Sequence, residues 1–119
     1  MNLRDRLVNV GLLPPGRFES RRLLDCANGA PCMHCGRHDQ TTVAAHANGA
    51  AYNKGAHHKA DDCFVAFLCS GCHAWLDQGS GRDPTDVWDG TAEDKLEMWR
   101  RAHALTLVWL FAHKKVRVA

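Results

Sequence analysis

The residues able to do chemistry crowd between Cys32 and Asp77, where cysteine, histidine and aspartate recur at short intervals. Cys32 and Cys35 make one CxxC pair, and Cys69 and Cys72 make a second. Thiolates are soft ligands, and two such knuckles supply four sulfurs to one tetrahedral zinc ion. A zinc closed by four thiolates keeps no open position, so it would hold the fold and take no part in a reaction. His73 follows the second knuckle directly, and Asp77 lies one helical turn beyond it. On a helix the two share a face and offer an imidazole and a carboxylate to a second, divalent cation with positions left for phosphate and water. His46 closes the β-prone segment TTVAAH and is the residue type best suited to act as a general base near neutral pH. It is expected to face the His73 helix across a hairpin, with Asp62 placed to orient it or to complete the metal shell. Blander roles stay open at this point. His73 can merely cap the zinc site, Asp77 can be a surface carboxylate, and His46 can be a satisfied core histidine. Cys26 and Cys63 have no close cysteine partner and read as small buried residues. His34 and His38 flank the first knuckle and are given no ligand role.

The elements that must position these groups can be read from local signals. Asn2 and Gly11 bracket a short amphipathic helix with Leu3, Leu7 and Val10 on one side. After Pro14-Pro15-Gly16 a second helix is expected from Arg17 to Cys26, with Arg17, Arg21 and Arg22 on one face. Gly36 suits the positive φ of a knuckle turn. Thr41 to His46 and Phe64 to Leu68 are β-prone and form the hairpin. Between them Ala47 to Lys59 is a Gly- and Asn-rich loop. Cys69 to Gln78 is knuckle and helix, and Gly79 to Pro84 is a linker. Thr91 caps a long helix from Ala92 to about His113, with Leu96, Trp99, Ala102 or His103, Leu105 and Trp109 inward. Its LTLVWLF end is apolar all round, which calls for deep burial or a homodimer contact. Lys114 to Val118 is a basic tail or a short strand.

Composition bounds what this arrangement can be. The 119 residues make one domain, 45% hydrophobic, with a net charge of +2 that by itself does not establish a nucleic-acid partner. The N-terminal MNLRDRLVNVGLL places charges inside its apolar pattern, so it is not read as an export signal. Leu105 to Phe111 is about a third of a membrane span, so no membrane association is expected. Six cysteines without an export signal point to reduced thiols and metal, and to a cytoplasmic protein. A redox role for the CxxC pairs is disfavoured, because such dithiols belong beside a βαβ pattern.

The order Cys32-x2-Cys35, a strand ending in His46, a variable loop and then LC-x2-CH resembles the His-Asn-His (HNH) nucleases. TTVAAH, the Gly-rich loop, Lys59-x2-Asp62 and LCSGCHAWLD are more specifically similar to small phage- and prophage-encoded HNH-like nucleases. The similar stretch runs from about Ser20 to Asp77. The resemblance implies an α+β fold with a treble-clef, ββα-metal core over residues 30–78. Around it would lie an N-terminal helical extension (1–29) and a C-terminal helix and tail (91–119). It implies a metal-dependent DNA endonuclease with His46 as general base, His73 and Asp77 on a catalytic Mg²⁺ or other divalent cation, and Asp62 near the place of the middle Asn. Cys32, Cys35, Cys69 and Cys72 would hold the structural zinc. Ala45 stands where many relatives carry a metal ligand. DNA of low sequence specificity would be gripped at its phosphates by Arg21, Arg22, Lys54, Lys59 and Arg82, with Arg17, Lys114 and Lys115 in support. The competing reading is a zinc-stabilised nucleic-acid- or protein-binding module whose nuclease site has decayed.

Overall fold

The computed structural model describes residues 3–47, 60–78 and 90–117. Lys54, Lys59, Arg82, the Gly79 to Pro84 linker, Val118, and the loop histidines His57 and His58, either of which the sequence offers as a third ligand to the catalytic cation, lie outside them. The architecture is α+β, with four helices around one antiparallel hairpin: α1 (Leu3–Asn9), α2 (Arg21–Asp25), β1 (Val43–His46), β2 (Val65–Leu68), α3 (Ser70–Gln78) and α4 (Ala92–Ala112).

The hairpin pairs Val43 with Leu68, Ala45 with Ala66 and His46 with Val65. Side chains alternate along a strand, so each face meets a different half of the molecule. Ala45, Ala66 and Leu68 pack with Trp75 and Leu76 of α3 and with Met98, Trp99 and Ala102 of α4. Val65 and Phe67, on the other face, pack with Ala27, Ala30 and Leu110, flanked by Leu23, Trp109 and Val116. Two strands alone are marginal in water. Here the outward edge of β2 is sealed by side chains and by the first knuckle. Thr106 Oγ1 accepts from the Phe67 amide at 3.0 Å, His103 Nδ1 donates to the Val65 carbonyl at 2.7 Å, and the Met33 amide donates to the Phe67 carbonyl at 2.8 Å.

That edge contact sets the rotation of α4. Its buried side is Met98, Trp99, Ala102, Thr106 and Leu110, whereas Leu96 and Leu105, expected inside, are 38% and 52% exposed. The apolar end is not buried on all sides either, since Val108 and Phe111 also face outward. The helix starts as its sequence requires, with Thr91 Oγ1 accepting from the Asp94 amide at 3.1 Å. It ends at His113, where Lys114 takes a left-handed φ of 56° and the Lys115 amide returns to the Leu110 carbonyl at 2.8 Å. The tail that follows is neither helix nor strand through Arg117.

The second helix is shorter than its sequence suggests. Ser20 caps it, accepting from the Leu23 amide, and Arg17 to Glu19 are not helical. Arg17, Arg21 and Arg22 therefore do not share a helical face. Helix α1 buries no residue. Its hold on the rest is polar, through Arg4. No helix among the described residues is long and apolar enough to cross a membrane.

Candidate functional site

Cys32 and Cys35 sit on a turn after α2, and Cys69 and Cys72 open α3, so the hairpin carries the second pair back to the first. Their four sulfurs lie within 4.8 Å of one another, with Cys35 and Cys69 3.6 Å apart. Ligands 2.3 Å from a tetrahedral ion stand about 3.8 Å apart, so this spacing is that of a metal site. The backbone is arranged for it. The His34 amide points at Cys32 Sγ at 3.4 Å, and Gly36, with φ 77°, lets its own amide close the turn on the Cys32 carbonyl. The crowded thiols also perturb one another. A hydrogen bond from Cys72 draws the Cys32 thiol down to about 4. The same contact, with burial, pushes Cys72 far above the ordinary thiol range, and burial raises Cys35. Three of the four thiols are thus perturbed by burial and by one another. A bound cation is what allows all four to ionise. These residues can hold a metal ion, and they are the one group of three or more candidate ligands that converges among the described residues.

The remaining site residues form two pairs. On the exposed side of α3, His73 Nε2 lies 2.8 Å from Asp77 Oδ2, each side chain roughly two-fifths exposed. At that distance the imidazole Nε2–H donates to the carboxylate as an i,i+4 pair, and both groups are of the types that ligate divalent cations. The buried side of α3 is Cys72, Trp75 and Leu76.

The second pair joins the ends of the hairpin. His46 Nε2 lies 2.9 Å from Asp62 Oδ1. A carboxylate only accepts, so Nε2 carries the proton and donates, which leaves the Nδ1 lone pair as the basic position. Asp62 lies in the turn before β2 rather than in the strand, and is 3% exposed. Arg17 Nη1 donates to its Oδ1 at 2.6 Å and the Ser20 amide to its Oδ2 at 2.7 Å. Burial alone would raise its carboxyl. The bonds from His46, Ser20 and Arg17 outweigh that and hold it below the ordinary 3.8. Asp61 beside it is anchored in the same way, by Arg4 at 2.7 and 3.1 Å and by the Phe18 amide at 2.7 Å. This strap of residues 4–20 was not foreseen from the sequence. Its one advance signal is the pair of adjacent aspartates 61 and 62, which burial obliges to find cations.

Both of the roles offered for Asp62 can now be weighed. Its oxygens are committed to Arg17, Ser20 and His46, so it orients the imidazole. The expectation that His46 faces the His73 helix is not met, because the hairpin's alternation puts the two pairs on different faces. Ala45 faces α3 inside the core, and His46 leaves on the other face, beside Val65. Cys26 and Cys63 are half-buried rather than buried. His38 is a surface group donating to the Gly29 carbonyl at 2.6 Å. Comparison with protein-family models, curated proteins and solved structures finds no match to the chain.

Proposed function

We propose that the chain is a metal-dependent DNA endonuclease of HNH type, with a treble-clef core clamped by zinc on Cys32, Cys35, Cys69 and Cys72. The observation that carries the reading is the line Arg17–Asp62–His46, which fixes one imidazole with Nε2 protonated and Nδ1 basic. A buried carboxylate held ionised by an arginine is the arrangement that orients a general base and stabilises the imidazolium formed when it accepts a proton. In the proposed reaction His46 Nδ1 takes a proton from water, the resulting oxygen attacks phosphorus, and the 3′ oxygen departs and takes a proton from solvent, leaving 5′-phosphate and 3′-hydroxyl ends. His73 and Asp77 are the described residues that would hold a divalent cation, which when bound would supply positive charge to substrate phosphates. Asp62 stays ionised throughout and keeps the ring from rotating.

The second reading, a zinc-stabilised binding module with a decayed hydrolytic site, is favoured by two observations, the first being that His46 lies on the hairpin face away from α3. The second is that Ala45 fills the core where a further ligand would face α3, so the described residues offer that cation two side chains. Nicking of supercoiled plasmid with Mg²⁺ or Mn²⁺ separates the two readings. The nuclease reading expects cleavage by the wild type and a loss of about 10²- to 10⁴-fold in His46→Ala, the usual value of a general base. Plasmid left intact by both proteins, with DNA still bound, establishes the module.

A further inference from the structure

Between the strap, α2 and the end of α4 runs a groove of about 990 Å³, lined by none of the four cysteines and by neither His46–Asp62 nor His73–Asp77. Four fixed cations line it, Arg22, Lys114, Lys115 and Arg117, and no carboxylate does. Among the described residues none of the four has an ion-pair partner. Its floor is apolar, with Phe18 and Phe111 presenting rings that are 50% and 48% exposed. The left-handed turn at Lys114 folds the tail back so that Val116 packs beside Leu110 and its basic neighbours overhang the groove. A lysine there bears a backbone conformation that glycine normally supplies.

Cations lining a helix end also answer the helix dipole. That account explains Lys114 and Lys115, but neither Arg22 on another element nor the exposed rings. Cations on a rim above open aromatic faces match a strand that offers phosphates and unstacked bases together. A duplex offers only the phosphates, because its base faces are stacked. We propose that this groove binds single-stranded nucleic acid, phosphates on Arg22, Lys115 and Arg117 and a base on Phe111. Its wall is continuous with the candidate site: Phe18 and Ser20 line it while bonding to Asp61 and Asp62, and Cys63 follows Asp62 directly. The inference deepens the nuclease reading, and rests on it only in taking the bound strand for part of the substrate, one with an unpaired segment.

Fluorescence anisotropy without divalent cations tests it, using His46→Ala protein so that no strand is cut. The probe is an oligothymidine on the order of 15 nucleotides, against a duplex of the same length. The strand is expected to bind more tightly than the duplex. Phe111→Ala should weaken the strand about tenfold and leave the duplex unchanged. Arg22→Ala with Lys115→Ala should lower the salt slope of strand binding by about 1.4, roughly 0.7 per phosphate contact. Circular dichroism of each variant reports whether it is folded. Equal losses for strand and duplex in Phe111→Ala overturn the proposal, as does unchanged strand binding in folded Arg22→Ala, Lys115→Ala protein. Capture by phosphatidylserine vesicles without strand binding overturns it in favour of a lipid surface. Strand binding in the groove with no nicking by the wild type retains the groove and removes the nuclease. Nicking with no effect of the groove variants on binding does the reverse.

Discussion

Asp62 joins the strap, the start of α2 and the end of β1. It is buried, it receives Arg17, Ser20 and His46, and its ionisation is linked to folding. Its carboxyl lies below 3.8 in the folded chain, so the unfolded chain binds its proton first as pH falls. Its contribution is therefore complete above about pH 4 and is lost as pH drops through the lower folded value. Asp62→Asn should cost about 2–3 kcal/mol at neutral pH, by removing the buried charge that Arg17, Ser20 and His46 share and leaving Arg17 only the exposed Glu19, and should flatten the acid limb of stability. Chemical denaturation of both proteins from pH 7 to 3 checks this. The difference between them isolates Asp62 from the cysteines, which also lose metal in acid. At this scale the ligands were readable, because CxxC spacing is local and chemical. The arginines that answer Asp61 and Asp62 were not, because Arg4 and Arg17 reach them across 57 and 45 residues of chain.

At the scale of elements, the hairpin, the capped start of α4 at Thr91 and the knuckle turn at Gly36 were legible from β-branching, capping and glycine. Two features escaped, for related reasons. Arg17 to Glu19 have helix-compatible residues but are drawn out of the helix by their bonds to Asp61 and Asp62, a tertiary contact that overrides propensity. The inward face of α4 was misjudged at Leu96 and Leu105 because hydrophobic periodicity gives no credit to Thr106, which joins His103 on that face. Those polar groups face inward to meet the open edge of β2, which turns Leu105 outward. Thr106→Val keeps the volume and removes the acceptor, stranding the buried Phe67 amide. It should destabilise the fold by about 1–3 kcal/mol. Urea denaturation measures the loss, and faster hydrogen exchange at Phe67 locates it.

For the molecule as a whole, the four sulfurs tie the turn after α2 to the start of α3 and so pin both ends of the core around a two-stranded sheet. Such a small sheet leans on its clamp. Chelation should unfold the protein cooperatively, and native mass spectrometry should find one metal ion per folded chain and none after chelation. A fold that survives chelation intact would remove the structural role. The way β2 is closed bears on how the protein is made. Thr106 lies 39 residues beyond the Phe67 amide it satisfies. Every nascent chain therefore leaves the ribosome with that strand unsealed and its apolar neighbours uncovered until α4 emerges. A premature stop before Met98 would release a sticky, unfinished hairpin rather than a smaller working domain. Translation to the far end of α4 is thus a checkpoint that synthesis itself imposes on this protein.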